Sequence, residues 1–229
     1  MKVGQITLTN LPNRFYGEEL FSQSLIACEQ KQQSLALIFI DLDNFKPVND
    51  ALGHAAGDKL VEQLTQRLSE TLQPDHYLIR FGGDEFLLLA PFTHGRGQLD
   101  QLAETLIQQC ASEFEISQNQ VGISASLGIA CAPKDGIDFK QLCRKADIAM
   151  YQAKGAGRNR TCYYTKSLNH TMSRRVEIEN QLHDAIKNNE FQLAYQPIYN
   201  FEGDCFKKAE SLIRWTNKKL GNVSPAEFI

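Results

Sequence analysis

The chain has 229 residues, of which 42% are hydrophobic, and its formal net charge is −3. These values are ordinary for a globular protein of one or two domains, and they give no global electrostatic case for binding nucleic acid or an anionic membrane. No apolar run approaches the ~20 residues of a membrane span, and the N-terminus lacks the apolar segment of a signal peptide. We therefore expect a cytoplasmic chain, alone or as the cytoplasmic part of a membrane-anchored sensor, with no nucleic-acid partner and no direct membrane contact.

The six cysteines are spread along the chain and form no C-x-x-C pair. Most of them lie in apolar stretches, where a free cysteine behaves as a small hydrophobic residue. We therefore expect reduced thiols that bind no metal.

Helical and strand-like segments alternate along the first part of the chain. Apolar residues at helical spacing predict helices over 13–33 and 54–72, and the β-rich run 34–43 predicts a buried strand. Residues 76–90 predict two strands joined at Gly82 and Gly83, because adjacent glycines supply the positive φ values that a tight hairpin needs.

The next segments predict a helix over 98–114, a strand over 121–132, a helix over 138–154 and a short strand over 160–165. A central hairpin with segregated helices favours an α/β (α+β) sandwich around a mainly antiparallel sheet that is flanked by helices. A doubly wound parallel sheet is disfavoured for the same reason.

The character of the sequence changes after Thr165. Residues 173–215 predict one helix and then two strands around the turn signal NFEGD at 200–204. We therefore divide the chain into a domain over 1–165 and a C-terminal segment over 166–229, which holds a linker helix and a hairpin of an incomplete domain.

Acidic residues stand at two predicted strand ends. Asp41 follows the apolar run LALIFI, and Asp84 and Glu85 follow the glycine pair. If these strands are neighbours, three carboxylates meet at one rim, and hard oxygen ligands of this kind suit Mg²⁺. Two solvated turn residues would explain the same spacing, so the pattern alone leaves both interpretations open.

Basic residues cluster where the helix predicted over 138–154 ends. Lys154 and Arg158 are four residues apart in a glycine-rich stretch, and Arg160 follows. Arginine can hold a phosphate by a bidentate fork and lysine as a point charge. Cations that complement the negative end of a helix would look the same, and Lys46 and His54 are uninformative by themselves.

Five sequence blocks together resemble the GGDEF domains, a family of diguanylate cyclases. The blocks are TLTNLPNR (7–14), DLDNFKPVNDALGHAAGDKLV (41–61), RFGGDEF (80–86), SLGIA (126–130) and ADIAMYQAKGAGRNR (146–160). The resemblance implies a nucleotidyl-cyclase-like sandwich that works as a homodimer. Each domain would hold one GTP, and the two nucleotides would condense into cyclic di-GMP and two pyrophosphates.

The resemblance also implies roles for individual residues. Asp41, Asp84 and the backbone carbonyl of Leu42 would hold Mg²⁺ (or Mn²⁺), and Asp84 or Glu85 would assist deprotonation of the ribose 3′-hydroxyl. Asn49 and Asp58 match the family's guanine-reading positions. The remaining substrate-binding candidates are Asn44, Phe45, Lys46, His54, Lys154 and Arg158.

Two departures from the family pattern affect what can be expected. The family's inhibitory product site is an R-x-x-D pattern, and Gln73 and His76 stand at its two ends here. That site is therefore expected to be missing. Ile6 and Asn10 replace residues of the opening motif, which puts the N-terminal hinge in doubt but not the catalytic centre. A GTP-binding regulatory module without catalysis is the alternative function, and a purely structural dimerisation unit is a weaker one.

The end of the chain resembles the start of an EAL domain, the cyclic di-GMP phosphodiesterase. The matching blocks are FQLAYQPI (191–198), AESLIRW (209–215) and SPAEFI (224–229). Glu210 stands at that family's first metal-ligand position and Gln196 and Arg214 at substrate-contacting ones, while Ser211 replaces the usual alanine. A phosphodiesterase barrel needs about 240 residues and several later carboxylates, so we expect no phosphodiesterase activity from this segment. In a full-length chain, its own EAL domain would be a partner of the GGDEF domain.

Overall fold

The computed structural model describes residue 6 and residues 8–93, 95–116, 118–200 and 205–228. The chain divides into two compact units, Met1–Leu168 and Asn169–Ile229, so the division falls at Leu168 and the predicted one at Thr165. The elements of the first unit are α1 (Arg14–Gln30), β1 (Ser34–Asp43), α2 (Phe45–Leu52), α3 (His54–Thr71), β2 (Tyr77–Arg80), β3 (Glu85–Phe92), α4 (Gly97–Ala111), β4 (Phe114–Ile116), β5 (Asn119–Val121), β6 (Ser124–Ala132), α5 (Phe139–Gly155) and β7 (Arg160–Tyr163).

Five of these strands form one sheet in the order β2-β3-β1-β6-β7. All neighbours are antiparallel except β6 and β7, which run parallel. The predicted fold class, a mainly antiparallel sheet flanked by helices, is confirmed. Strands β4 and β5 pair separately as a small hairpin.

Strand β1 lies in the middle of the sheet and has apolar residues on both faces. Ala36, Ile38 and Ile40 belong to the core cluster that contains residues of α3 and α4. Leu35 and Leu37 belong to the opposite cluster, which contains residues of α1 and α5. Alternate residues of a strand point to opposite faces, so the sheet separates two apolar layers.

Helix α5 approaches β6 very closely at Gly128. A Cβ atom at Gly128 would lie 2.0 Å from the backbone oxygen of Ala146 and 2.2 Å from the backbone nitrogen of Met150. Only glycine therefore allows the helix to pack at this distance. The contact fixes the position of α5, whose C-terminal end carries Lys154.

Three elements of the first unit were not predicted. Helix α2 has only eight residues, and its apolar residues Phe45 and Val48 are only partly buried against the core, so its apolar stripe is too short to mark a helix in the sequence. Strands β4 and β5 have three residues each, which is too short for a clear alternation of apolar and polar residues.

The predicted hairpin around the glycine pair exists, but the reason given for it was wrong. Neither Gly82 nor Gly83 is among the residues with positive φ. A Cβ at Gly82 would lie 3.0 Å from Glu85 Oε2, whereas one at Gly83 would meet no atom within 4 Å. A side chain at Gly82 would therefore crowd the carboxylate of Glu85, whereas a side chain at Gly83 would meet open space.

The cysteines whose side chains are described are free thiols: Cys28, Cys110, Cys131, Cys143 and Cys162. Burial raises the pKa of Cys110 and of Cys143 to about 12 and that of Cys131 to about 11. Thiols with such pKa values remain protonated and unreactive at neutral pH, as expected for core residues.

The second unit follows the first along helix α6 (Lys166–Ala185) and contains β8 (Phe191–Asn200), β9 (Cys205–Asn217), β10 (Gly221–Val223) and α7 (Pro225–Phe228). Strands β8 and β9 are antiparallel, as predicted, although residues 201–204 of the predicted turn lie outside the described residues. Trp215 is buried beside Val223 and Ile178. Its indole N–H donates to Glu190 at 2.9 Å, and Asn217 donates to the same carboxylate at 2.8 Å.

In the described part of the chain, no helix combines the length and the apolar character that crossing a membrane requires.

Candidate active site

Two acidic side chains lie at the C-terminal end of the central strand β1. Asp41 and Asp43 are two residues apart and point to the face that packs on α5, and they are only 7% and 2% exposed. Buried carboxylates are costly unless cations or hydrogen-bond donors surround them. The hydrogen-bond and ion-pair partners of each carboxylate therefore indicate its role.

Asp43 is completely satisfied by the protein itself. Its carboxylate accepts hydrogen bonds from the hydroxyls of Ser124 at 2.7 Å and Ser126 at 2.8 Å, and from the backbone N–H of Asn159 at 3.1 Å. It thereby ties β1 to β6 and to the turn that follows α5. This role was not predicted from the sequence, although Ser124 and Ser126 show the same two-residue spacing as the acids they face.

Asp41 has a cationic partner instead. Lys154 Nζ, on the last turn of α5, lies 2.6 Å from Asp41 Oδ1. Burial raises the pKa of Asp41, and the bond to Lys154 opposes that shift. Arg158 lies 3.9 Å from Asp43, but its side chain is 55% exposed. The two basic candidates thus reach the two acids, one by a close contact and the other by a loose one.

The turn between β2 and β3 presents the other two acids beside Asp41. The backbone N–H of Leu42 donates to the carbonyl of Asp84 at 3.3 Å, and the N–H of Phe81 donates to that of Glu85 at 2.9 Å. Glu85 is the cross-strand partner of Asp41 in the β1–β3 register. Because opposite residues in a pair are close neighbours, the turn and the end of β1 form one acidic edge.

Glu85 has an unusual environment for a glutamate. Its pKa is raised, first by burial and then by the neighbouring charges of Asp41 and Asp84. A raised pKa brings a carboxylate closer to the range in which it can exchange protons near neutral pH. Asp84 lies on the turn and is half-buried.

The three acids do not form a three-carboxylate metal centre. Within the residues that the structure describes, no group of three or more His, Cys, Asp or Glu side chains is arranged to hold a metal ion. The metal ligands that the GGDEF resemblance implies, Asp41, Asp84 and the backbone carbonyl of Leu42, do not include Glu85 and stay a prediction, and Lys154 lies on one oxygen of Asp41. A site of two carboxylates and the carbonyl of Leu42 does not require that group.

Arg80 connects the glycine turn to helix α3. Its guanidinium donates to the carbonyl of Gly83 at 2.9 Å. Burial lowers the pKa of Arg80, and the charges of Asp58 and Asp84 raise it. Arg80 is therefore hydrogen-bonded to the turn and lies within range of the charge of Asp58, which was not predicted from the sequence.

The guanine-reading candidates lie on the helix pair α2 and α3. The side-chain oxygen of Asn49 is buried and has no hydrogen-bond partner, and a Cβ at Gly57 would lie 2.0 Å from it. Asp58 is exposed one residue further along α3. The Asp58 carboxylate can accept hydrogen bonds from a nucleobase edge, and the Asn49 side chain can donate through its amide nitrogen and accept through its oxygen.

The remaining candidates surround the start of these helices. Asn44 adopts a left-handed conformation, with φ 60° and ψ 27°, directly before α2. Phe45 packs against the core, whereas Lys46 and His54 are exposed. In the described ranges, neither Lys46 nor His54 makes a hydrogen bond or ion pair, so the structure does not connect them to the acidic edge.

Comparison with known protein families identifies both parts of the chain. The model of the diguanylate cyclase GGDEF domain matches residues 7–160. The chain belongs to the GGDEF family. The EAL domain model matches residues 179–229, directly after the GGDEF domain. Both predicted resemblances are therefore confirmed.

Two relatives of this chain are named for the enzymology of cyclic di-GMP. MucR of Pseudomonas aeruginosa, a bifunctional diguanylate cyclase/cyclic di-GMP phosphodiesterase, is 35% identical over 97% of this chain and 32% of its own length. PdeR of Escherichia coli K12, a cyclic di-GMP phosphodiesterase, is 34% identical over 97% of this chain and 33% of its own. The chain spans about a third of these relatives.

A solved GGDEF structure shares the fold of the GGDEF domain described here. It is the GGDEF domain of Pseudomonas aeruginosa TpbB, also called YfiN, with a TM-score of 0.70 and 32% identity. The match covers 74% of this chain and 99% of that structure.

The EAL segment places its candidate residues on one hairpin. Gln196 of β8 lies opposite Glu210 of β9, and Arg214 lies opposite Gln192. Glu210 and Ser211 are exposed. The roles suggested for these residues by the EAL resemblance remain predictions.

Proposed function

We propose that this GGDEF domain is a diguanylate cyclase that condenses two GTP into cyclic di-GMP and two pyrophosphates at a homodimer interface. The observation that carries the proposal is the acidic edge, where Asp41 lies 2.6 Å from Lys154 beside the turn that carries Asp84 and Glu85. Carboxylates and a cation at one strand end are what a metal–triphosphate complex requires.

The donors at this edge fit a hard divalent cation. Two carboxylates, Asp41 and Asp84, and the backbone carbonyl of Leu42 are oxygen ligands of the kind that Mg²⁺ or Mn²⁺ prefers. When bound, the metal would neutralise phosphate charge. Lys154 and Arg158 would bind the phosphates, with the backbone at Asn44 and Phe45 and the side chain of Lys46, and His54 remains a substrate-binding candidate.

The chemical step is an exchange of phosphoester bonds. The 3′-oxygen of one GTP forms a bond to the α-phosphorus of the other, and the bond from that phosphorus to pyrophosphate breaks. The hydroxyl proton must pass to a base. Glu85 suits this role because its raised pKa brings its carboxylate closer to neutral pH, and Asp84 is the alternative base. A second domain supplies the other oriented nucleotide.

A non-catalytic GTP-binding module that regulates an EAL domain is the second candidate function. It is favoured by the EAL match directly after the GGDEF domain and by the relative PdeR, which is named only as a phosphodiesterase. Such a module would bind GTP through Asn49 and Asp58 without releasing pyrophosphate.

Pyrophosphate release from GTP and Mg²⁺, measured over a range of protein concentrations, separates the two candidates. A cyclase that needs two domains should show a rate that rises faster than linearly with protein concentration until the dimer is saturated. Binding of GTP without pyrophosphate release at any concentration would support the regulatory module.

Asp58→Ala is expected to weaken GTP binding about tenfold while leaving weak ATP binding unchanged. A site that pairs with a base edge loses selectivity when one partner is removed. Calorimetric titration with non-hydrolysable analogues of both nucleotides measures the ratio. Asp50→Ala removes an exposed charge from α2 and serves as the control. An unchanged GTP-to-ATP ratio in Asp58→Ala would contradict the guanine-reading role.

The GGDEF domain is also expected to escape inhibition by its product. His76 replaces the family's aspartate, and burial lowers its pKa more than Asp75 raises it, so His76 is neutral at pH 7. Neither it nor Gln73 supplies the charges that two phosphates and two guanines would need.

Calorimetry with the nucleotide site filled should detect no micromolar binding of cyclic di-GMP to the parent. The double substitution of Gln73→Arg with His76→Asp should create such binding. Saturable binding to the parent that is lost in Gln73→Ala or His76→Ala would overturn the prediction.

A further inference from the structure

The candidate metal ligand Asp41 already holds a cation. Its Oδ1 atom lies 2.6 Å from Lys154 Nζ, and the Asp41 side chain is only 10% exposed. In the described part of the chain, Lys154 is the only side-chain cation that forms an ion pair with this carboxylate. A metal ion that binds Oδ1 must therefore displace the lysine, and one that binds the other carboxylate oxygen would be repelled by the nearby ammonium charge.

The surroundings explain why a cation is needed there in the absence of metal. Burial raises the pKa of Asp41 most, Lys154 opposes that shift, and the charges of Asp84 and Asp43 raise the pKa further. Without Lys154, several acids would face one another in a partly buried site, which is costly. Asp43 has no such need, because three neutral donors already satisfy it.

The lysine is also free to leave. It stands on the last turn of α5, and its side chain is 29% exposed. A lysine carries its charge on a flexible four-carbon stem, and so it can follow a nearby anion. A triphosphate bound at this edge would offer it several oxygens in exchange for one.

We propose that Lys154 is an exchangeable lock on the metal site: it holds Asp41 until a nucleotide arrives, and then moves to the phosphates and frees Asp41 for the metal. The inference rests on the proposed function, since it takes Asp41 as a metal ligand. Its consequence is that metal and nucleotide bind cooperatively, and linkage requires each to raise the affinity of the other by the same factor.

Mn²⁺ binding followed by electron paramagnetic resonance, without nucleotide, tests the lock directly. Lys154→Met is expected to bind Mn²⁺ at least about 5-fold more tightly than the parent, and a non-hydrolysable GTP analogue more weakly. Lys134→Met removes the same charge from an exposed lysine beyond the opposite end of β6, and should change neither affinity. A purely structural role for Lys154 would weaken both ligands together.

Asp41→Asn separates failure of the lock from failure of the proposed function. If Asp41→Asn leaves Mn²⁺ binding intact, the metal assignment itself is wrong. If it weakens Mn²⁺ binding while Lys154→Met behaves like Lys134→Met, only the lock is refuted.

A measurement on the parent chain does not depend on a stable variant. The side-chain ammonium resonance of Lys154, identified by its loss in Lys154→Arg, should shift when Mg²⁺ and the GTP analogue are added together. A resonance that stays unchanged at saturating nucleotide would overturn the proposal.

Discussion

Asp84→Asn should reduce pyrophosphate release from GTP by roughly 10²- to 10³-fold, the range found when a preorganised charge or donor is removed from an active site. The substitution keeps the shape of the side chain and removes its charge. In the described part of the chain, the Asp84 carboxylate accepts no hydrogen bond, so the fold loses nothing that an amide fails to supply. The loss should therefore appear in turnover and in Mn²⁺ affinity, and the thermal unfolding temperature should stay the same or rise slightly.

The expected rise in the unfolding temperature has a physical cause. The charge of Asp84 raises the pKa values of both Asp41 and Glu85, which means that the three acids repel one another. Asp75→Asn, on an exposed turn, is the control for loss of one negative charge. If Asp84→Asn turns over within a few-fold of the parent rate, the assignment of Asp84 as a metal ligand is wrong.

Gly128→Ala is expected to destabilise the GGDEF domain by about 3 kcal/mol or more, at the upper end of the range for overpacked cores. The added methyl group would meet backbone atoms of α5 at 2.0 and 2.2 Å. A backbone atom cannot rotate away as a side chain can, so the helix itself must shift. Urea denaturation followed by circular dichroism measures the loss.

Gly155→Ala is the matched control, because it lies at the end of the same helix and a Cβ there would meet no atom within 4 Å. It should be neutral or stabilise the protein by up to about 1 kcal/mol, since alanine favours helix over glycine. Because α5 carries Lys154, any folded Gly128→Ala protein should also bind the GTP analogue more weakly. A stability within about 1 kcal/mol of the parent would show that the sheet and helix can separate at little cost.

Sequence reasoning predicted the long elements of the GGDEF domain well. The strand predicted over 34–43 is β1, and the helix predicted over 138–154 is α5 with a shift of one residue. These segments are buried along a face or on both faces, so their apolar spacing carries the structural information. The spacing of apolar residues in the sequence reflects which face of each element is buried in the fold.

Short elements with little buried surface were missed for the converse reason. Helix α2 has no buried residue, and its place is fixed by the left-handed Asn44 before it and by Gly53, with φ 83°, after it. Backbone conformations of this kind leave only a faint trace in a sequence, since asparagine and glycine also occur in ordinary turns.

The candidate site was predicted by residue identity rather than by geometry. Motif blocks named Asp41, Asp84 and Lys154, but a pattern in one dimension cannot show that Lys154 touches Asp41 across 113 residues, and that contact appears only when α5 packs on the sheet. Arg80 was overlooked because its partners are a backbone carbonyl and distant charges, and neither kind of partner forms a motif.

The buried carboxylate of Asp43 has a consequence for how the chain chooses its strand pairing. Strand β1 is buried along nearly its whole length, so its hydrophobic residues alone distinguish poorly between its two faces. A slip of one residue would turn Asp43 away from Ser124 and Ser126 and into the opposite apolar layer, without hydrogen-bond partners. The same slip would cost the leucines and isoleucines far less. The polar end of β1 thus selects one register for a strand whose apolar part would accept two, and the alignment of Asp41 with Glu85 follows from that selection.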